Sequence, residues 1–305
     1  MDLNTLYHRT VEAWADRVNA VRPEQWEAPT PCRGWSVRDL VNHVVAEDRW
    51  TAPLVQGSST EEVGSRFDGD LVGDDPVGAA LDAAMEATTS VAARLPTGGT
   101  VRLSYGEERL EEYVRQLAAD HLVHGWDLAA ATAGDTRLDP HLTAEVAAWF
   151  AEREDAYRGA GAIGPRGASY GGVQGDLLAA FGRDATWGEA HACLARLSAA
   201  FGAGDVDAIT ALMTDDCVFE ATGPAPDGVR HEGADDVRRV WVDLFGQTRD
   251  PSFVEEESFV AGDRGVLRWR FEWTDDDGTT GHVRGADVLR FRAGLVCEKL
   301  SYVKG

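Results

Sequence analysis

The sequence predicts two domains of different class, a mainly α N-terminal part followed by an α+β C-terminal part. Three observations predict this. Apolar residues recur at helical spacing through most of the first 158 positions. After Trp187 the chain turns to a few helical stretches and then to alternating runs separated by turn signals. Between the two regimes, Gly159 to Gly175 is dense in glycine and lacks periodicity, which reads as loop or lid. At 305 residues the chain has room for two domains of ordinary size, and the boundary is expected near Ala185–Trp187, giving 1–186 and 187–305.

The first helix is expected from about Leu3 to Val21, with Tyr7, Val11, Trp14, Val18 and Val21 on one stripe. Pro23, Pro29 and Pro31 hold an extended connection. Ser36 with Asp39 three positions on reads as a capping box, opening a helix that carries Leu40, His43, Val44 and Glu47 on one face. A Gly-, Ser- and Asp-rich loop spans Gly57 to Asp75, a third helix about Val77 to Leu95, and a short extended segment Thr100 to Ser104. A long helix follows from Glu107 to about Thr132, then another from about Leu142 to Arg158, and the apolar run Leu177 to Phe181 caps the bundle.

The long helix carries the most informative feature. Its seam reads Leu110, Tyr113, Leu117, Asp120, His124, Asp127, Ala131, apolar at first and then polar for three consecutive positions. A carboxylate buried there without a partner costs several kcal/mol (on the order of 5). A cation relieves that cost, and a carboxylate and an imidazole at i and i+4 share one helix face from which both can ligate it. His43 points inward from another helix, so His43, Asp120 and His124 form a candidate three-ligand site with an open position for water or substrate. His121, one position off the seam, is an alternative to Asp120. Asp127 reads as an acceptor behind a ligand or a helix-end charge, and Trp35 and Trp126 as core or pocket wall.

Two motifs carry a resemblance. Thr30-Pro31-Cys32-Arg33-Gly34-Trp35-Ser36-Val37-Arg38-Asp39-Leu40-Val41-Asn42-His43-Val44 and Asp120-His121-Leu122-Val123-His124-Gly125-Trp126-Asp127-Leu128-Ala129 resemble the DinB-like, mycothiol-dependent maleylpyruvate isomerase N-terminal family. The resemblance runs over about residues 1–186, including Leu177-Leu178-Ala179-Ala180-Phe181-Gly182-Arg183-Asp184. It implies a four-helix bundle that binds a divalent metal, usually zinc, through His43, Asp120 and His124. Isomerase members carry Glu as the middle ligand, where this chain has Asp120. Nitrogen and oxygen ligands without thiolate also suit nickel or manganese. The thiol co-substrate the resemblance implies is mycothiol, and the reaction S-transfer or thiol-dependent isomerisation. If water takes the open metal position, the reaction is hydrolysis instead; a structural metal site would leave a non-catalytic binding protein.

In the second part, helices are expected over Glu189 to Phe201, Val206 to Met213 and about Ala234 to Phe245. Strands are expected over Phe253 to Val260, Val266 to Trp273, His282 to Phe291 and Leu295 to Val303, with turns at Asp277-Gly278 and Ala293-Gly294. Phe201-Gly202-Ala203-Gly204-Asp205-Val206-Asp207-Ala208, Leu212 to Glu220 and Gly285-Ala286-Asp287-Val288-Leu289-Arg290-Phe291 are similar to SnoaL-like domains of the nuclear transport factor 2-like superfamily. That implies an α+β cone with a curved antiparallel sheet, able to mediate a homodimer. Aligned on Ala203-Gly204-Asp205, the base and tyrosine of steroid isomerases fall on Ala221 and Leu197, which cannot transfer a proton; only Asp287 survives as a candidate catalytic residue. Its strand alternates Val283, Gly285, Asp287, Leu289 and Phe291 on one face, so the carboxyl is expected in an otherwise apolar interior with a raised pKa. Leu267, Trp269, Phe271 and Trp273 supply an apolar wall suited to a small hydrophobic or aromatic ligand.

A net charge of −23 argues against nucleic acid and anionic membrane as partners. With no signal peptide or spanning apolar stretch, the expectation is a soluble cytoplasmic protein. Cys32, Cys193, Cys217 and Cys297 are scattered without a paired motif, which suits a reducing compartment. Of 29 basic residues only Lys299 and Lys304 are lysines, a composition that resembles high-GC actinobacterial proteins.

Overall fold

A computed structural model describes residues 1–275 and 278–304, so Asp277 of the expected Asp277-Gly278 turn lies outside the described residues. The chain divides into two compact units, Met1–Ala185 and Thr186–Gly305.

The first unit is helical. Its elements are α1 (Leu3–Asn19), α2 (Val37–Val55), α3 (Thr60–Val63), α4 (Pro76–Arg94), a hairpin of β1 (Thr100–Leu103) and β2 (Gly106–Arg109), α5 (Leu110–Ala131), α6 (Pro140–Ala151), α7 (Glu154–Gly159) and α8 (Gly172–Ala180). The four long helices make the bundle: α1 packs on α5 and α4, and α2 on α4 and α5. Caps set where helices begin. Ser36 accepts from the Asp39 N–H and the Asp39 carboxylate accepts from the Ser36 N–H, closing the expected capping box at the start of α2. Asp75 and Asp139 cap α4 and α6, each followed by a proline in the first turn. The core between the helices is Trp14, Val18, Leu40, Val41, Val44, Ala83 and Leu128.

Three local expectations are corrected. Glu107 to Arg109 does not begin the long helix; it pairs antiparallel with Thr100–Arg102, so α5 starts at Leu110. The expected helix from Leu142 to Arg158 is two helices, α6 and α7, broken at Glu152 and Arg153. The glycine-rich loop ends earlier than its composition suggests, because Gly172 already lies in α8.

The second unit is α+β: α9 (Glu189–Ala203), α10 (Val206–Ala211), β3 (Met213–Glu220), β4 (Arg230–Glu232), α11 (Ala234–Gln247), β5 (Ser252–Ala261), β6 (Arg264–Thr274), β7 (Thr280–Arg292) and β8 (Leu295–Val303). The strands form one curved sheet in the order β4-β3-β8-β7-β6-β5, antiparallel except for the parallel pair β3–β8. Bulges between Glu255 and Glu257 and between Arg290 and Phe291 bend it. Cross-strand glycines make room for indoles. Trp269 lies opposite Gly285 and Trp273 opposite Gly281. A Cβ at Gly285 would sit 2.3 Å from the Trp269 ring, and one at Gly281 2.5 Å from the Trp273 ring. Both rings therefore occupy the space a side chain at these β7 positions would need.

Among the described residues no helix is long and apolar enough to cross a membrane.

Candidate metal centre and cone cavity

In the first unit His43, from the second turn of α2, meets Asp120 and His124, one turn apart on α5. One ligand atom from each lies within 4.8 Å of the others. His124 Nε2 is 3.3 Å from Asp120 Oδ1, and His43 Nε2 is 3.9 Å from Asp120 Oδ2. The second distance is beyond a hydrogen bond, and Oδ2 is buried with no hydrogen-bond partner. A buried carboxylate oxygen left without a donor keeps its acceptor capacity unused.

The orientation of His124 has a cause. Its Nδ1 lies 2.9 Å from Asp127 Oδ2. A carboxylate only accepts, so Nδ1–H is the donor and Nε2 is the nitrogen turned toward Asp120. Asp127 is fully buried and held by Arg183, whose NH2 is 2.8 Å from Oδ2. Burial works to raise the Asp127 pKa, but the Arg183 guanidinium and the His124 hydrogen bond outweigh it and hold it at about 2. Burial likewise works against the charged form of His124, yet the Asp120 carboxylate lifts its pKa well above the usual histidine range. Burial raises and His124 lowers the Asp120 pKa, and the net result lies well below the usual carboxylate range.

Cys32, His124 and Asp127 also cluster closely enough to hold an ion. There Arg183 NH2 sits 3.3 Å from Cys32 Sγ as well as against Asp127, so a fixed positive charge already fills the place a cation would take. The Nε2 of His124 instead faces the Asp120 carboxylate.

A cavity of about 620 Å3 opens on the His43–Asp120–His124 group. Trp35, Tyr113, Trp149, Tyr157 and Phe181 give it aromatic walls, and Glu47, one turn after His43, also lines it. Burial and the Asp120 charge raise the Glu47 pKa. Ile163 and Gly164 of the glycine-rich loop contribute to the wall. Trp35 is thus a pocket residue, its ring 5.0 Å from His43, whereas Trp126 is core.

His121 is not part of this group. Its Nδ1 is 2.8 Å from the Leu117 carbonyl and its Nε2 3.3 Å from the Asp48 carboxylate, so both nitrogens are engaged in the bundle interior. Its ring meets Tyr7 and Trp14 edge-on. The alternative that His121 replaces Asp120 is overturned. Sequence reasoning overlooked Arg183 and Cys32 as the support behind His124; Arg183 follows the glycine at the end of α8, a place that periodicity does not mark.

In the second unit a cavity of about 640 Å3 is lined by Phe219, Trp241, Phe253, Trp269, Phe271 and Trp273, with Lys299 and Ser301 on its wall. Asp287 is buried on the inner face as expected, but the expectation of an otherwise apolar interior is corrected. Lys299 Nζ is 2.9 Å from Asp287 Oδ2, and Ser301 donates to Oδ1 at 2.6 Å. Lys299 is itself buried, 4% exposed. Burial lowers its pKa, opposed by Asp287.

Known families match both units. The model of the mycothiol maleylpyruvate isomerase N-terminal domain matches residues 7–129, and that of the SnoaL-like domain matches residues 194–299. The chain belongs to these two families, joined in one polypeptide. An uncharacterised protein found in two strains of Mycobacterium tuberculosis is 34% identical over 154 residues, which cover 48% of this chain and 75% of the relative. Among solved structures, an NTF2-like protein of unknown function from Mesorhizobium loti is 36% identical, covers 38% of this chain and 92% of its own, and has a TM-score of 0.34. A second protein of Mycobacterium tuberculosis, solved with estradiol-17β-hemisuccinate, is 26% identical, covers 37% of this chain and 92% of its own, and has a TM-score of 0.33. The two matched domains point to a mycothiol-related isomerase family and to a small-molecule-binding or cyclase fold.

Proposed function

We propose that the mycothiol maleylpyruvate isomerase-like unit is a divalent-metal-dependent, thiol-using enzyme, a mycothiol S-transferase or thiol-dependent isomerase acting on a small apolar or aromatic metabolite. His43, Asp120 and His124 would hold the metal. The observation that carries this reading is the buried, unpartnered Oδ2 of Asp120 between two imidazoles at the wall of an open cavity. Nitrogen, oxygen and nitrogen donors fit zinc and also nickel or manganese. When bound, the metal would supply positive charge that lowers the pKa of a thiol or water beside it.

The chain's own residues do the rest. Asp127, clamped by Arg183, fixes the His124 tautomer. Trp35, Tyr113, Trp149 and Phe181 exclude water and stack a planar substrate. Glu47 lines the same cavity with a raised pKa and is the group placed to take up and return a proton. The SnoaL-like unit serves as a binding module for the same class of apolar molecule.

The test is turnover. Metal-loaded protein is incubated with mycothiol and a panel of aromatic electrophiles, and adducts or isomers are detected by mass spectrometry. The reading expects thiol-dependent product that disappears after chelation and in His124→Ala. Product formed equally without thiol would move the assignment to hydrolysis, and no product from any thiol or water reaction would leave the site structural.

A further inference from the structure

The cone cavity holds a feature that the metal site does not need and that an apolar binding pocket would be better without. Lys299 projects from the middle of β8 onto the cavity wall, where it is 4% exposed. Its Nζ is 2.9 Å from Asp287 Oδ2 and donates to Ser301 Oγ at 2.7 Å, while Ser301 donates to Asp287 Oδ1 at 2.6 Å. Lysine, serine and aspartate thus close a triangle, and of the three Lys299 and Ser301 face the cavity. Aromatic faces surround the amine: Nζ lies 4.9 Å from the Phe219 ring centre, 5.1 Å from Trp241 and 5.4 Å from Phe201.

The choice of lysine is itself informative. Of 29 basic residues only two are lysines, so the chain ordinarily meets its need for a cation with arginine. Arginine would pair with Asp287 and cannot be deprotonated; lysine can lose its proton and become a nucleophile. The ring faces and Asp287 favour the ammonium, burial disfavours it, and burial prevails, leaving the pKa lowered.

We propose that Lys299 forms a reversible imine with the carbonyl group of an apolar, planar aldehyde or ketone bound in the cone cavity. The ammonium passes one proton to Asp287. The freed lone pair attacks the carbonyl carbon, a C–N bond forms, and the π pair moves to oxygen, which takes a proton from nitrogen. Asp287 then returns its proton through Ser301 to the hydroxyl, the C–O bond breaks, and water leaves. The product is a protonated imine paired with the Asp287 carboxylate. Three hydrogens of the starting ammonium end as one on nitrogen and two in water, and nothing is oxidised or reduced. Asp287 acts through Lys299 and Ser301 and is a positioning residue. This site is independent of the metal reading.

The experiment uses the full-length wild-type chain and its other lysine as an internal control. Lys304 is exposed. The protein is incubated at neutral pH with naphthaldehyde and sodium cyanoborohydride, which traps imines as stable amines, and labelled peptides are quantified by mass spectrometry. Lys299 should be labelled at least about tenfold faster than Lys304, because the lowered pKa leaves more of its amine unprotonated and the aromatic walls hold the aldehyde beside it. With glyceraldehyde, which gains nothing from the aromatic walls, the preference should fall. Lys299→Arg, which keeps a cation beside Asp287, should abolish the adduct, and Asp287→Asn should slow it while naphthaldehyde still quenches tryptophan fluorescence. Labelling of Lys299 equal to or slower than that of Lys304 overturns the proposal, and because the comparison lies within one wild-type chain it does not depend on any variant folding.

Discussion

Asp127 and His124 stand one turn apart on α5, and the 2.9 Å hydrogen bond between them fixes which imidazole nitrogen faces the cavity. With Nδ1 donating to a carboxylate locked by Arg183, Nε2 is the nitrogen offered to the Asp120 side. The pair leaves a histidine that could face either way with Nε2 turned toward the proposed metal site.

Removing that support should weaken metal binding without removing a ligand. Asp127→Asn is expected to lower metal affinity by about 10–100-fold, the usual effect of losing a group behind a metal-bound histidine. Competition with a chromophoric chelator measures it. Unchanged affinity would show that His124 is oriented by something else.

Glu47→Gln should separate chemistry from binding. The amide keeps the shape of the side chain but cannot hold a proton in exchange, so turnover should fall by about 10²–10⁴-fold with metal content intact. Loss of metal in this variant would make Glu47 a ligand.

His121 and Asp48 form a pair of the opposite kind, buried in the bundle and not lining the cavity. Asp48→Ala leaves His121 without its carboxylate in the bundle interior. Urea unfolding should show a loss of about 3–5 kcal/mol. A loss under about 1 kcal/mol would mean the pair is solvated.

In the cone, Lys299 sets a pH dependence. Its folded pKa is lowered from 10.5. Between the lowered folded value and 10.5 the unfolded chain binds the proton that the folded chain has released, so the wild-type cone should gain stability as pH rises through that window. The gain should be absent from Lys299→Met, which should also cost about 3–5 kcal/mol at neutral pH by stranding Asp287, while Lys299→Met with Asp287→Leu should recover most of it. Thermal unfolding across pH reads both, and a flat wild-type profile would contradict the assignment.

Legibility followed the range of the interaction. His43, Asp120 and His124 were readable because each breaks an apolar stripe at helical spacing, and the capping box fixed the phase of α2. The strands β5 to β8 were readable from alternating runs set between turn signals, even though bulges interrupt the alternation. The break between α6 and α7 was not, since the apolar spacing runs on past Glu152 and Arg153, and neither was the start of α8, where glycines hold both the N-cap and the first helical position. Lys299 escaped notice for a different reason. Its meeting with Asp287 depends on the register of β7 against β8, which sets Asp287 opposite Ser301 and Leu289 opposite Lys299, and no local pattern encodes that register.

The measurement that bears most directly on the account is the metal content of the purified protein and of three variants, by elemental analysis after exhaustive dialysis. The wild type should carry about one divalent ion per chain, His43→Ala and His124→Ala should carry almost none, and His121→Gln, which removes none of the three proposed ligands, should keep it. Full retention of metal in His43→Ala or His124→Ala would contradict the ligand set on which the proposed function depends.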